Sequence, residues 1–149
     1  MNNKHKWVAR AASAAVATAF LVGGTATSAS ADENTWVRNV NSGWCLTAAD
    51  GGKVHAEFFR WGNDQQWDRR GNNIVRAYTN QCLDSDSSGD VYWMECNGGR
   101  NQMWDFRSDG SVVNVATVRW LYHWKGTFTV YTVTNPGGHP STKWNFSNS

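Results

Sequence analysis

The chain has 149 residues, a formal net charge of +2 and 17% charged side chains. Lysine and arginine do not cluster into the basic face that phosphate neutralisation requires, which argues against nucleic-acid binding. A domain of this size buries enough surface for one hydrophobic core.

Residues 1–31 have the pattern of a secretory signal peptide. Three basic residues open the segment: Lys4, Lys6 and Arg10. An apolar run over residues 11–22 follows, and the small residues Ala29 and Ala31 form an A-x-A cleavage pattern. The run is shorter than the ~20 residues of a membrane span. We therefore expect no membrane span and a secreted protein that comprises residues 32–149, whose net charge is −1 once the three basic residues are removed.

Export also determines how the three cysteines are interpreted. In an oxidising compartment, Cys82 and Cys96 are expected to form a disulfide rather than a metal pair. Such a bridge closes a loop of about 15 residues, for which chain entropy predicts roughly 3 kcal/mol of stabilisation. Cys45 is left as either a buried thiol or an intermolecular bridge. Its neighbour Leu46 occupies a repeated core position, which favours burial.

An internal repeat of 38 residues divides the chain after residue 35. The units span residues 36–73, 74–111 and 112–149, and each carries a Trp near its end: Trp67, Trp104 and Trp144. The first two units contain Gln-x-Trp 22 residues after a Cys-Leu pair, whereas the third has Thr142 in place of the Gln. Such periodicity indicates a fold built from repeated supersecondary units.

No unit has a helical pattern of apolar residues. Short runs rich in Val, Tyr, Trp and Thr are separated by turn signals, which read NSG, DGG, SSGD, NGGR, SDGS and NPGG. Residues 127–133 alternate threonines with larger apolar residues, as a half-buried strand does. Three such units packed about an axis close a barrel without exposed edges. The sequence therefore predicts a single all-β domain with threefold pseudo-symmetry.

The repeated motifs resemble those of the ricin B-type lectins, which are β-trefoils and also serve as carbohydrate-binding modules of secreted bacterial glycosidases. The resemblance rests on Gln-x-Trp, on Cys82-Leu83-Asp84, and on a second cysteine 14 residues after the first. It implies twelve strands in a six-stranded barrel capped by three hairpins. It also implies that the Trp of each motif packs in the core and that the Gln fixes a neighbouring loop.

The resemblance places a sugar pocket in the second unit. Lectins of this type use an Asp after Cys-Leu, an aromatic platform, and the Asn and Gln of Asn-Gln-x-Trp. The second unit retains Asp84, Asn101 and Gln102, but Met94 stands at the platform position, where strand alternation offers Tyr92 instead. The expected ligands are galactose- or xylose-type glycans. Asp84 also fits an ordinary turn residue.

The other two units lack this pattern. The first has Thr47 at the Asp position, Glu57 at the platform and Asp64 in place of Asn, and the third has Tyr122 and Thr134 at the first two of these positions. One pocket of the three is expected to survive.

No catalytic constellation is recognisable. His55, His123 and His139 are scattered, and Asp84 and Asp86 lie on one turn, so they would not flank a glycosidic bond. No phosphate loop, metal cluster or cofactor motif is present. The sequence predicts a secreted, non-catalytic lectin.

The alternative is a trefoil that has lost sugar binding and serves as an adaptor or inhibitor of a secreted protein partner. Trp61 lies in a loop, and one strand face carries Trp120, Tyr122 and Trp124. Tryptophan and tyrosine are residues that anchor protein interfaces.

Overall fold

The computed structural model describes residues 32–148, which fold into twelve β-strands and four 3-10 turns. The strands are β1 (Asp32–Asn39), β2 (Cys45–Ala48), β3 (Val54–Glu57), β4 (Gln66–Arg70), β5 (Asn73–Arg76), β6 (Gln81–Ser85), β7 (Val91–Glu95), β8 (Trp104–Phe106), β9 (Val112–Asn114), β10 (Arg119–His123), β11 (Val130–Val133) and β12 (Trp144–Ser147). The expected signal peptide lies outside these residues. Within them, no helix has the length and apolarity to cross a membrane.

The strands fall into three groups of four along the chain, β1 to β4, β5 to β8 and β9 to β12. The first and last strands of each group form the barrel, through the antiparallel pairs β1–β12, β1–β4, β4–β5 and β8–β9. Single contacts complete the circle: a bridge joins Ser111 to Lys143, and the Trp104 amide donates to the Asn72 carbonyl at 2.7 Å. This is the all-β domain with threefold pseudo-symmetry that the repeat predicted, and it is the β-trefoil that the resemblance implied.

The two middle strands of each group pair as a hairpin. These are β2–β3, β6–β7 and β10–β11, here called the first, second and third hairpins. Isolated bridges join them pairwise around the pseudo-threefold axis, and these are Lys53 with Tyr92, His55 with Thr129, and Asp90 with Tyr131. At the tip of the second hairpin, Gly89 adopts φ +98°, and a Cβ there would lie 2.8 Å from the Thr132 carbonyl. The glycine therefore permits the second hairpin to approach the third.

The repeated tryptophans lie in the core, as predicted. Trp67 and Trp104 are fully buried and Trp144 is nearly so. Each indole N–H donates to the carbonyl of the repeated leucine in its own unit, over 2.9 Å to Leu46, 3.0 Å to Leu83 and 3.1 Å to Leu121. A buried Trp needs such an acceptor for its one polar atom.

The buried glutamines fix the loops that precede these tryptophans. Gln65 accepts from the Arg60 amide at 2.8 Å and donates to the Phe58 carbonyl at 3.0 Å. In the third unit Thr142 donates instead to the His139 carbonyl at 2.7 Å. The Gln and Thr side chains therefore satisfy backbone groups that no strand pairs.

The predicted disulfide is present in the structure. Cys82 and Cys96 are bridged and Cys45 is a buried free thiol, as expected.

The strand predicted over residues 127–133 was too long, because β11 begins at Val130. The preceding residues contact the first hairpin instead, where the Phe128 carbonyl accepts from the Ala56 amide at 2.9 Å.

Candidate functional site

The second hairpin brings together three of the four residues predicted to bind sugar. Asp84 on β6 lies directly opposite Tyr92 on β7. Asn101 lies in a 3-10 turn further along the chain. Its side-chain amide donates at 2.7 Å to the carbonyl of Ser85, which is the residue after Asp84. The amide oxygen of Asn101 has no hydrogen-bond donor within residues 32–148.

Asp84 is a strand residue and not an ordinary turn residue. The turn that follows is held by Asp86, whose Oδ1 accepts from the backbone amides of Ser88, Gly89 and Asp90. Asp84 itself is only 2% exposed. A ligand can reach its carboxylate only after neighbouring side chains move aside.

The carboxylate of Asp84 is incompletely paired. Four buried side-chain atoms in residues 32–148 have no hydrogen-bond partner: Trp36 Nε1, Arg38 Nε, Arg76 Nε and Asp84 Oδ1. Three of these are N–H donors, and the oxygen of Asp84 is the one acceptor. A buried acceptor without a donor destabilises a fold by about 1–3 kcal/mol. A sugar hydroxyl is a donor of the kind that this oxygen lacks.

The strand alternation expected for β7 is present. Val91 is buried and Trp93 packs against the core, so Tyr92 and Met94 lie on the opposite face with Asp84. Burial raises the pKa of Tyr92 to about 12, and hydrogen bonding of the phenol with the Asp84 carboxylate adds to the shift. The phenol therefore remains protonated at neutral pH and lies beside Asp84.

Gln102 has a different contact from the one expected of it. The resemblance placed its side chain in the sugar pocket with Asp84 and Asn101. Instead, its Oε1 accepts from the Asn97 amide at 2.9 Å and its Nε2 donates to the Glu95 carbonyl at 3.0 Å. These are the same loop contacts that Gln65 makes in the first unit. Gln102 is fully buried, and its side-chain hydrogen bonds go to the loop beside the pocket and not to Asp84.

In the first unit the matching position is a small cleft of about 320 Å³ that charged side chains occupy. Arg60 bonds to Glu57 at 2.8 Å and to Asp64 at 2.5 Å. Burial alone would raise the pKa of Glu57, but hydrogen bonds from Arg60 and His55 lower it below its ordinary value. These ion pairs were not predicted, although Arg60 stands three residues after Glu57 and four before Asp64.

In the third unit aromatic rings fill the matching position. Tyr122, which replaces Asp84, is buried and lies 5.1 Å from Tyr131 and 6.3 Å from Trp124 between ring centres. His139 lies 5.7 Å from Trp124 and its ring nitrogen accepts from the Ser141 amide. This position presents no carboxylate to a ligand.

The aromatic residues considered for a protein interface differ in accessibility. Trp61 is 82% exposed, Trp124 is 51% exposed, and Tyr122 is buried. Trp61 rests edge-to-face on Trp36 and Phe59, with ring centres 5.1 Å away in both contacts.

The family model of the ricin-type beta-trefoil lectin domain matches residues 12–104 and 34–144. The two matches end on the core residues Trp104 and Trp144, as expected when a repeated sequence aligns in two registers. No curated protein sequence gives a significant match.

Several solved structures share the fold at low sequence identity. GalNAc-T7 with UDP, GalNAc and Mn²⁺ has a TM-score of 0.67 at 18% identity, over 78% of this chain and 22% of that one. The designed threefold-symmetric protein ThreeFoil scores 0.64 at 21% identity, over 77% and 98%. A non-toxic homologue of type II RIPs from Momordica charantia, in complex with α-methyl-D-galactoside, scores 0.64 at 22% identity, over 76% and 48%. The chain thus spans about a fifth of the first and half of the third.

Proposed function

The chain belongs to the family of ricin-type β-trefoil lectin domains, and we propose that it is a secreted, non-catalytic lectin with one sugar pocket in the second repeat. Asp84, Tyr92 and Asn101 form the pocket, and Gln102 fixes the loop beside it. Galactose-type glycans are the first ligands to test, since the Momordica charantia protein is solved with a galactoside. Xylose-type glycans are the second.

The observation that carries this proposal is the buried, unpartnered Oδ1 of Asp84. It stands at the family's aspartate position, in the repeat that retains Asn101 and Gln102. In the first repeat Thr47 stands at the Asp84 position, and the nearby carboxylates of Glu57 and Asp64 are already paired with Arg60. The second repeat therefore offers a sugar an unpaired acceptor at this position once the side chains that cover Asp84 move aside.

The chemistry of the three side chains suits a saccharide. The carboxylate of Asp84 accepts from two neighbouring hydroxyls, and the free amide oxygen of Asn101 accepts from a third. Tyr92 offers a ring against the apolar face of the sugar, and its hydroxyl lies beside the Asp84 carboxylate. A single small pocket of this kind binds weakly, and a Kd of about 1 mM corresponds to −4 kcal/mol.

The test is a glycan array on the purified protein, followed by calorimetry with the glycan that binds best. Hydrogen bonds to a carboxylate contribute ~1.5–3 kcal/mol each, so Asp84→Asn should weaken binding at least about tenfold. Tyr92→Ala should weaken it by about 1 kcal/mol through lost ring contact. Thr47→Ala, at the matching position of the first repeat, should leave the affinity unchanged. Wild-type binding that Asp84→Asn does not affect would contradict the assignment.

Secretion is a separate part of the proposal, supported by the pattern of residues 1–31. The expected result is protein in the culture medium that begins at Asp32, as intact-mass spectrometry would show. A cell-associated chain that retains residues 1–31 would overturn it.

Trp61 supports a second candidate function, the binding of a secreted protein partner. A tryptophan that is 82% exposed and stands on two other aromatic rings is a preformed interface anchor. Trp61→Ala should weaken capture of a partner from culture supernatant by roughly 2 kcal/mol or more. Failure to capture any protein with the wild-type chain would remove this candidate.

A further inference from the structure

The three hairpins enclose a second cleft, of about 580 Å³, on the pseudo-threefold axis. Each hairpin contributes one segment to this axial cleft, and the bridges between hairpins hold its walls together. Its most buried lining residues are three valines at matching positions of the repeats: Val54, Val91 and Val130. The base of the axial cleft is therefore apolar and symmetric.

The rim of the axial cleft breaks this symmetry. The residues before the three valines are Lys53, Asp90 and Thr129, which present an ammonium, a carboxylate and a hydroxyl. Within residues 32–148, neither Lys53 nor Asp90 takes part in any of the six ion pairs. Both charged groups are free to hydrogen-bond a ligand.

Aromatic side chains complete the wall. Phe128 lines the axial cleft and is 62% exposed, and its ring is supported by Trp44 at 5.4 Å between centres. Tyr92 lines the opposite side, on the second hairpin. An apolar base with aromatic edges and a few separate polar groups is the usual composition of a ligand pocket, and the volume lies within the ~300–1,000 Å³ of such pockets.

The charges of the axial cleft favour a neutral, polyhydroxylated ligand. Glu57 is already paired with Arg60 and His55, so the unpaired charges of the axial cleft are the ammonium of Lys53 and the carboxylate of Asp90, which balance. Residues 32–148 also contain no cluster of side chains that would hold a metal ion. Saccharide hydroxyls both donate and accept, so they can satisfy the lysine and the carboxylate together.

We propose that the axial cleft is an extension subsite for a neutral saccharide, continuous with the Asp84 pocket through Tyr92, so that the protein recognises an oligosaccharide. Tyr92 opposes Asp84 in the β6–β7 ladder and also lines the axial cleft. A sugar at Asp84 is thus separated from the axial cleft by one side chain. The inference rests on the proposed function of the Asp84 pocket.

Calorimetry with the full chain can test the subsite. The probes are methyl α-D-galactoside and xylose as single sugars, and β-1,4-galactotriose and xylotriose as trisaccharides. For the sugar type that binds, galactose or xylose, the trisaccharide should have a Kd at least about tenfold lower than that of the single sugar. Phe128→Ala and Lys53→Ala should each remove most of that gain and leave the single-sugar Kd within about twofold. Tyr78→Ala, which truncates a 70% exposed ring outside the axial cleft, should retain the gain.

A measurement on the wild-type protein guards against variants that misfold. In ¹⁵N NMR titrations the trisaccharide, but not the single sugar, should shift the amides of Lys53 and Thr129. A trisaccharide gain that persists in both cleft variants, or no gain at all, overturns the extension subsite while the Asp84 pocket stands. Single-sugar binding that Asp84→Asn does not weaken, or no saccharide binding, overturns the pocket and the subsite together.

Discussion

The first and second repeats share a scaffold but differ in what their pockets leave unpaired. Gln65 and Gln102 make corresponding contacts with the loop backbone, and Trp67 and Trp104 donate to corresponding leucine carbonyls. In the first pocket Arg60 pairs with the carboxylates of Glu57 and Asp64, whereas in the second the Oδ1 of Asp84 has no partner. Pseudo-symmetry therefore preserves the frame, and binding depends on a few side chains that the frame does not fix.

The shared core gives the largest expected effect. Trp67→Ala and Trp104→Ala should each lower the free energy of unfolding by about 3–5 kcal/mol, because each removes a fully buried ring. Guanidinium denaturation measures both. Trp61→Ala is the exposed control and should change stability by less than about 0.5 kcal/mol. A small loss in one core variant but not the other would show that the two repeats differ in their cores as well.

The disulfide, which lies in the second repeat, gives the next largest expected effect. Replacing both Cys82 and Cys96 by Ala should lower the free energy of unfolding by roughly 3 kcal/mol, since the bridge closes a short loop in the second repeat. Cys45→Ala breaks no cross-link and should lower it by only about 1 kcal/mol through lost apolar contact. Equal losses would indicate that packing, not the cross-link, stabilises the second loop.

Asp84 should destabilise the protein in the absence of a ligand. Asp84→Asn replaces a buried carboxylate, whose Oδ1 has no partner, with a neutral group of the same shape, so the free energy of unfolding should rise by about 1 kcal/mol. Asp68→Asn is the matched control in the first repeat. Asp68 is also buried, but it bonds to the Asn34 amide and to Arg70, so the same change should lower stability. Thermal unfolding that shows a loss for both would mean that Asp84 is satisfied in the free protein.

How far sequence predicts structure here depends on whether a feature recurs along the chain. The threefold all-β architecture follows from the 38-residue period, and the trefoil, the core tryptophans and the loop-fixing glutamines follow from the family resemblance of the repeated motifs, because repetition links sequence position to place in the fold. Asp84 was found by its motif, but its burial depends on side chains packed around it. The axial cleft was not found, since Lys53, Asp90 and Phe128 come from three hairpins and share no motif. Features that depend on contacts between side chains of different repeats cannot be predicted from spacing along the sequence.

The ion pairs of the first pocket give the smallest expected effect. Because the pKa of Glu57 is lowered in the folded protein, its charge stabilises the fold above the ordinary Glu pKa of about 4.3. That contribution disappears as the pH falls through the lowered value. Arg60→Ala should therefore raise the pKa of Glu57, which ¹³C NMR of the side-chain carboxyl would follow. The loss of stability at pH 7 should stay below about 1 kcal/mol, because Arg60 is exposed.

Arg107→Ala is the control. It removes another exposed guanidinium, which is paired with Asp105, and should leave the titration of Glu57 unchanged. An unchanged titration in Arg60→Ala would show that Arg60 does not hold Glu57 in solution, and the contrast between the two pockets would then rest on Asp84 alone.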